Sequence, residues 1–143
     1  MQTSARAIIF RDDSLLVVRY RDECGDWYAV PGGAQRHGEG LVAAVVREVA
    51  EETGLLVRVG PLRFVRECIA APGARALPPD FHQVEFYFTC EIDGSLGLAG
   101  EPDPGQVEVE WCTLAELRGR CFFPPALLDA LERGEEFGYL GVV

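Results

Sequence analysis

One stretch constrains this chain more than any other: GGAQRHGEGLVAAVVREVAEETGL, residues 32–55, the longest helical pattern in a sequence otherwise made of short β-rich runs. Its spacing predicts a helix from about Gly40 to Thr53, stopped by Gly54 in the left-handed conformation that glycine tolerates after a helix. At about 100° per residue, Val42, Val45, Val46 and Val49 share one face. Glu48, Glu51 and Glu52 form a stripe roughly 100° wide lying beside that face rather than opposite it. Ala44 adds no bulk to the stripe and leaves room for a ligand. Like charges three and four residues apart repel by only a few tenths of a kcal/mol, roughly. Any surface helix tolerates that, so the glutamates by themselves do not separate a solvated face from a site.

The flanking runs read as strands. ARAIIF and SLLVVRY, split by the polar turn RDD, suggest a hairpin, and DWYAV is a short strand ending at the loop Pro31-Gly32-Gly33. LLVRVGPLRFVRECIAA reads as strand, turn at Gly60-Pro61, strand. FHQVEFYFTCEI and VEVEWCTL are further strands, each preceded by a loop: residues 71–80, rich in Pro and Gly, and residues 93–106. Two short helical pieces follow, AELRG and, after Pro124-Pro125, ALLDALERG. Many strands around one early helix imply an α+β or α/β layered domain rather than a βαβ series.

A chain of 143 residues with 48% hydrophobic and 25% charged residues is sized for one domain with a real core, covering 1–143. The net charge of −10 disfavours a nucleic-acid backbone as partner, since such binding runs on clustered cations. It does not exclude an anionic small molecule bridged to the carboxylates by metal. The N-terminus lacks a secretory pattern and no run reaches the ~20 apolar residues of a membrane helix, so the expectation is a cytoplasmic protein without a membrane partner. Five scattered cysteines without a CxxC pair fit reduced thiols. All thirteen basic residues are arginine and asparagine is absent too, a pattern that GC-rich coding produces, so the missing lysines carry no functional meaning.

Beyond the helix, spacing becomes specific. Gly33, five residues, Glu39, seven residues, then Arg47-Glu48-Val49-Ala50-Glu51-Glu52-Thr53-Gly54-Leu55 matches all nine specified positions of G-x5-E-x7-R-E-U-x-E-E-x-G-U, with U a bulky aliphatic. The chain thereby resembles the Nudix hydrolases of MutT type. WYAVPGG upstream and VEVEWCTLAEL downstream resemble that family's strand-to-loop approach and its late strand with tryptophan. The resemblance implies a Nudix-type α/β/α sandwich, a mixed β-sheet with the box helix on one face. It also implies divalent-metal-dependent hydrolysis of a pyrophosphate bond in a nucleoside diphosphate linked to another moiety: a nucleotide, nucleotide sugar or dNTP. The chemistry is coherent, because hard cations on carboxylate oxygens hold phosphates, offset their charge and lower the pKa of a bound water. Mg²⁺ is the ion implied, with Mn²⁺ as a substitute.

Roles carried over from the resemblance make Glu48 and Glu52 metal ligands, Glu51 a third ligand or a water-mediated one, and Glu48 also the general base. The Gly32 carbonyl would complete a coordination sphere, and Gly33 would let the loop approach closely. Arg47 would orient a glutamate through a bidentate pair. Glu39, on the far side of the wheel, would anchor the loop or pair with Arg47, unless the loop bends it inward. Some relatives carry a further ligand or base before the late tryptophan, where this chain has Gly105; Glu108, Glu101 and Asp103 are the nearby candidates, with Glu108 favoured.

Subfamily marks are sparse. FFPPALLDAL resembles the MutT C-terminal element, but Leu127 stands where an asparagine reads the oxidised guanine. Pro72, seventeen residues after Leu55, falls one residue from the proline typical of ADP-ribose enzymes, and Ser-Gln-Pro-Trp is absent. Arg6, Arg19, Arg21, His82 and Glu85 are the candidates for substrate contact, and Trp27, Tyr28, Phe81 and Phe123 for stacking on a base. The alternative reading is a non-catalytic nucleotide-sensing Nudix module; the intact glutamates argue against it. An isoprenyl diphosphate isomerase would be longer and carry catalytic Cys and Glu in contexts that this sequence does not display. A homodimer is the oligomeric state the resemblance suggests.

Overall fold

In the computed structural model, which describes residues 1–70, 77–95 and 105–142, the chain order is β1 (Gln2–Ile8), β2 (Phe10–Arg11), β3 (Ser14–Asp22), β4 (Gly25–Ala29), β5 (Gly32–Ala34), α1 (Leu41–Thr53), β6 (Leu55–Ile69), β7 (His82–Ser95), β8 (Gln106–Thr113), α2 (Leu114–Arg118), α3 (Pro125–Glu132) and β9 (Gly138–Val142). A mixed sheet has the order β5-β1-β7-β6-β9, with β1 parallel to β7 and β6 parallel to β9. An antiparallel sheet holds β2, β3 and β4, with β8 on the other side of β3.

Strand alternation sets the layers. Ala5, Ala7 and Ile9, together with Val57, Phe88 and Cys90, pack against Ala44, Val45 and Val49 of α1. The neighbouring Ile8, with Phe64 and Tyr87, faces the opposite way onto Leu127, Leu128 and Leu131 of α3 and Leu117 of α2. Helices therefore cover both faces of the mixed sheet. This is the expected α/β/α arrangement, with the box helix on one face.

The strand reading differs in four places. β1 does not form a hairpin with β3; it pairs with β7 from Gln2↔Gln83 to Ile8↔Thr89, leaving the hairpin to the two pairs of β2. Residues 4, 5, 7, 8 and 9 are all buried, and a strand buried on both faces belongs inside a sheet. Gly32-Gly33 is a short strand against β1 rather than a loop. Gly60-Pro61 is not a turn but a register shift inside the continuous β6, a bulge that accommodates a proline lacking its N–H. β9 is an additional strand; GYLGV is too short and glycine-rich to signal one locally.

The helix itself is capped by Gly40 before Leu41 and by Gly54 after Thr53; Gly54 has a φ of 73° and its N–H donates to the Ala50 carbonyl, as the sequence implies. Its buried face is rotated from the valine stripe, however. Ala44, Val45, Glu48, Val49 and Glu52 are buried, while Val42 is exposed. Two of the glutamates thus lie within the buried arc rather than beside it. Among the described residues no helix is long and apolar enough to cross a membrane.

Candidate active site

A carboxylate buried in a sheet–helix interface needs hydrogen-bond donors or charge partners, and both buried glutamates have them. Glu52, 1% exposed, accepts from the Gly32 N–H at 2.8 Å and from the Tyr20 hydroxyl at 3.0 Å. Glu48 accepts from Arg47 Nη1 at 2.9 Å. Glu51 remains at the margin, with Arg47 at 3.5 Å and Arg36 at 3.7 Å.

Arg47 organises this edge. Its Nε and Nη2 donate to the two oxygens of Glu39, each at 2.8 Å, and Nη2 also donates to the Ala34 carbonyl at 3.1 Å. One guanidinium thus joins α1, the loop before it and β5. Glu39 accepts in addition from the Arg36 N–H. Hydrogen bonds from Arg47 first, then Arg36, hold the Glu39 carboxyl down at about 2, against an ordinary 4.5. The native state therefore binds this proton less readily than the unfolded chain, and the stabilisation is present above pH 4.5 and lost as pH falls toward 2. In thermal melts across that window, wild type should lose more of its Tm than Glu39→Gln, which lacks the titrating group; parallel curves would show that the clamp is not linked to folding.

Two glycines of β5 make the close approach. Gly32 has φ 151°, and a Cβ there would lie 2.4 Å from the Ala5 carbonyl. At Gly33 a Cβ would lie 2.6 to 2.8 Å from the carboxylate of Glu48. A Gly33→Ala substitution meets the far end of a flexible side chain, so it should displace the carboxylate with little effect on Tm. A shift of about 1 Å in a reacting group can cost on the order of 10²-fold in rate. The expected result is a large fall in kcat with Tm nearly unchanged, and an unaltered kcat would show that the Glu48 position is not critical.

Glu48, Glu51 and Glu52 offer hard carboxylate oxygens on one helix, beside the backbone of β5 in a cradle that a Cβ would fill. No group of three His, Cys, Asp or Glu side chains among the described residues is already gathered around one point. The donor set suits a hard cation that takes a few carboxylates and completes its shell with water and substrate phosphate.

Beyond Glu52 lies a cavity of about 180 Å³. Tyr20 connects the two, hydrogen-bonded to Glu52 and stacked at 4.4 Å on Trp27, which lines the cavity and meets Phe123 edge-on at 6.2 Å. Arg6 and Glu85 come together on the cavity wall, Nε to Oε1 at 3.6 Å. Arg66, Gln83 and Tyr87 join them; the sequence reading missed these three, although the alternation Gln83, Glu85, Tyr87 along one strand was the available signal. Trp27, Phe81 and Phe123 line the same cavity, whereas Tyr28 packs in the core on the other face of β4.

Burial would raise the Glu85 carboxyl, but Arg6 and Arg66 more than offset it and hold it below the usual carboxylate range. Burial, then Glu85, push the Tyr87 phenol well up, so it stays a donor.

The remaining candidates lie elsewhere, for one geometric reason. Leu16, Val18 and Tyr20 of β3 share the face toward α1 and Trp27, so Arg19 and Arg21 point the other way. There Arg19 pairs with Asp26, Glu108 and Glu110, and Arg21 with Asp26. Glu108 sits opposite Arg19 and bonds it at 2.6 Å. It is three residues from Trp111, which packs toward α1, and an odd separation along a strand puts side chains on opposite faces. Glu108 therefore does not turn toward the glutamates. His82 and Glu85 are likewise three apart; His82 leaves the cavity and meets Glu67 at 3.2 Å. Glu101, Asp103 and Pro72 lie outside the described residues. Leu127, at the place of the base-reading asparagine, is fully buried in the core.

Comparisons with known proteins converge on one family. The NUDIX domain model matches residues 1–132. A Caenorhabditis elegans protein named "Putative nudix hydrolase 1" is 35% identical over 120 residues, covering 80% of this chain and 29% of its own length. An ADP-ribose pyrophosphatase of Methanocaldococcus jannaschii is 32% identical over 95 residues, covering 66% of this chain and 53% of its own. The chain thus spans about half or less of the length of these curated relatives. The solved NUDIX hydrolase of Nitrosomonas europaea superposes with a TM-score of 0.78 at 22% identity, over 95% of this chain and 91% of that one, a likeness of fold. The complete box, the layered fold that carries it and the family match over nearly the whole sequence make this chain a member of the Nudix family.

Proposed function

We propose that this domain hydrolyses a pyrophosphate bond in a nucleoside diphosphate linked to another moiety, with Mg²⁺ as cofactor and Mn²⁺ able to replace it. The observation that carries the reading is the pair Glu48 and Glu52, buried one turn apart on α1 and held by Arg47, Gly32 and Tyr20. Nudix hydrolases generally need a divalent metal, and the name of the Methanocaldococcus relative supports the reaction class. Glu48, Glu52 and Glu51 would hold the ion with the Gly32 carbonyl; once bound, it supplies charge neutralisation for the phosphates and a water of lowered pKa.

The chain's own residues do the rest. Glu48 takes the proton of the attacking water, which requires a carboxylate fixed in place, and Arg47 fixes it. Glu39 keeps Arg47 in position and touches no substrate. Arg6 extends from β1 toward the cavity and brings positive charge to the substrate side of Glu52. The net charge of −10 supports a small-molecule substrate rather than a nucleic acid.

The test is a phosphate- and AMP-release screen with Mg²⁺ and with Mn²⁺ over dNTPs, oxidised dNTPs, ADP-ribose, other nucleotide sugars, dinucleoside polyphosphates and NADH. Each is run beside Glu52→Gln. Turnover lost in the variant supports the reading; a folded, Mg²⁺-binding protein that hydrolyses none of them favours a sensing module.

A further inference from the structure

The wall of the cavity beyond Glu52 has an imbalance of hydrogen-bonding groups. Glu85 is 3% exposed, and both its oxygens are engaged: Oε1 accepts from the Tyr87 hydroxyl at 2.5 Å with Arg6 at 3.6 Å, and Oε2 accepts from Arg66 Nη2 at 3.1 Å. Two guanidiniums therefore face a carboxylate whose oxygens already have their partners, and the buried Glu52 is the further carboxylate acting on Arg6. Arg66, 8% exposed, has its Nε buried with no hydrogen-bond partner among the described residues. Arg6 spends one donor on the Val30 carbonyl. Gln83, whose amide nitrogen reaches Gln2 at 3.4 Å, adds one carbonyl acceptor, so donors remain in excess. Trp27, Phe81 and Phe123 add aromatic surface to the lining.

An unpaired buried donor is costly, and a ligand that brings an acceptor to it adds a hydrogen bond that the protein's own groups do not make. Aromatic walls favour a planar ring, and a guanidinium favours ring edges that carry oxygen or ring-nitrogen acceptors, as it does in reading guanine. We propose that this cavity takes the base of the substrate nucleotide and selects bases rich in carbonyl acceptors, namely uracil, thymine and guanine, over adenine and cytosine. Arg66 is the residue that discriminates. An exocyclic amino group placed at the same point would set donor against donor, beside a carboxylate whose oxygens are taken.

The proposal rests on the reading of the substrate as a nucleoside diphosphate derivative, so its test has an arm that needs no hydrolysis. Calorimetric titration with UMP, GMP, AMP and CMP, without metal, measures base preference directly. The second arm compares kcat/KM for UDP- and GDP-linked sugars with that for ADP- and CDP-linked ones in Mg²⁺. The expected preference is about tenfold or more for the carbonyl-rich bases in both arms, the scale of one good guanidinium–base contact. Arg66→Lys keeps the charge but loses the planar fork, and should collapse the ratio toward one.

Equal or reversed preference in the wild type overturns the proposal whether or not the variant folds, and so does a ratio that survives Arg66→Lys. Hydrolysis without base preference defeats this inference and leaves the hydrolase reading intact. Preferential binding of UMP and GMP without hydrolysis does the reverse. Absence of both binding and turnover defeats the two together.

Discussion

Glu48→Gln is expected to lower kcat by roughly two to four orders of magnitude, the range that a positioned general base contributes, on whichever substrate the wild type turns over. The fold should remain, because the amide oxygen can still accept from Arg47 Nη1, which now donates to Glu48 at 2.9 Å. What disappears is the negative charge, and with it both the capacity to take a proton and much of the affinity for a hard cation. The measurement is kcat and KM beside a thermal melt. A rate within a few-fold of wild type would remove Glu48 from the role of base, and a collapse of Tm would recast it as structural. Comparing the variant at raised Mg²⁺ separates the two functions, since lost affinity is recovered by concentration and a lost base is not.

Glu85→Leu is expected to produce the largest loss of stability among these substitutions. Glu85 is almost fully buried, between Arg6 at 3.6 Å and Arg66 at 3.1 Å. Removing it leaves two guanidiniums at the cavity wall with no charge between them. Breaking a buried ion pair by deleting one partner costs about 3–5 kcal/mol, because the survivor keeps its desolvation penalty. For a domain of this size that corresponds to a fall in Tm of roughly 10 °C or more. A fall of under about 3 °C would show that water or a rearranged Gln83 compensates the arginines. Arg66→Met in the Glu85→Leu background should recover part of the loss, since it removes one of the orphaned charges, a coupling that a double-mutant cycle reads directly.

The helix and the glycines around it were legible in the sequence because what shapes them is local. Helical period depends on neighbours three and four residues away, so the common stripe of Glu48, Glu51 and Glu52 follows from spacing alone. Gly54 closes the helix by its own backbone freedom, at φ 73°. The box pattern carried the family for the same reason, as a set of residues at fixed offsets. Even there the rotation of the helix departs from its apolar pattern. The valine stripe suggested the buried face, and Val42 proved exposed while Glu48 and Glu52 went in. Burying them required the Gly32 N–H and the Tyr20 hydroxyl, which lie 20 and 32 residues from Glu52.

The strands were legible as strands but not in their pairing or their facing. A strand's two faces differ only by parity, and which parity points toward the site is settled by partners far along the chain. Glu108 belongs with Arg19 across 89 residues, and nothing within VEVEWCTL states that its register places Trp111, not Glu108, toward α1. His82 and Glu85 looked like a pair beside one loop, yet an odd separation sent them to opposite sides of the sheet. Arg66 could not be singled out in the sequence, because its importance comes from Glu85, 19 residues away on the antiparallel neighbour strand. The family, the acidic helix and its boundaries could thus be read from residue order alone, because short-range periodicity and backbone freedom set them. Which charged side chains meet emerged from the folded chain, because strand register and facing are set by long-range pairing that no local pattern encodes.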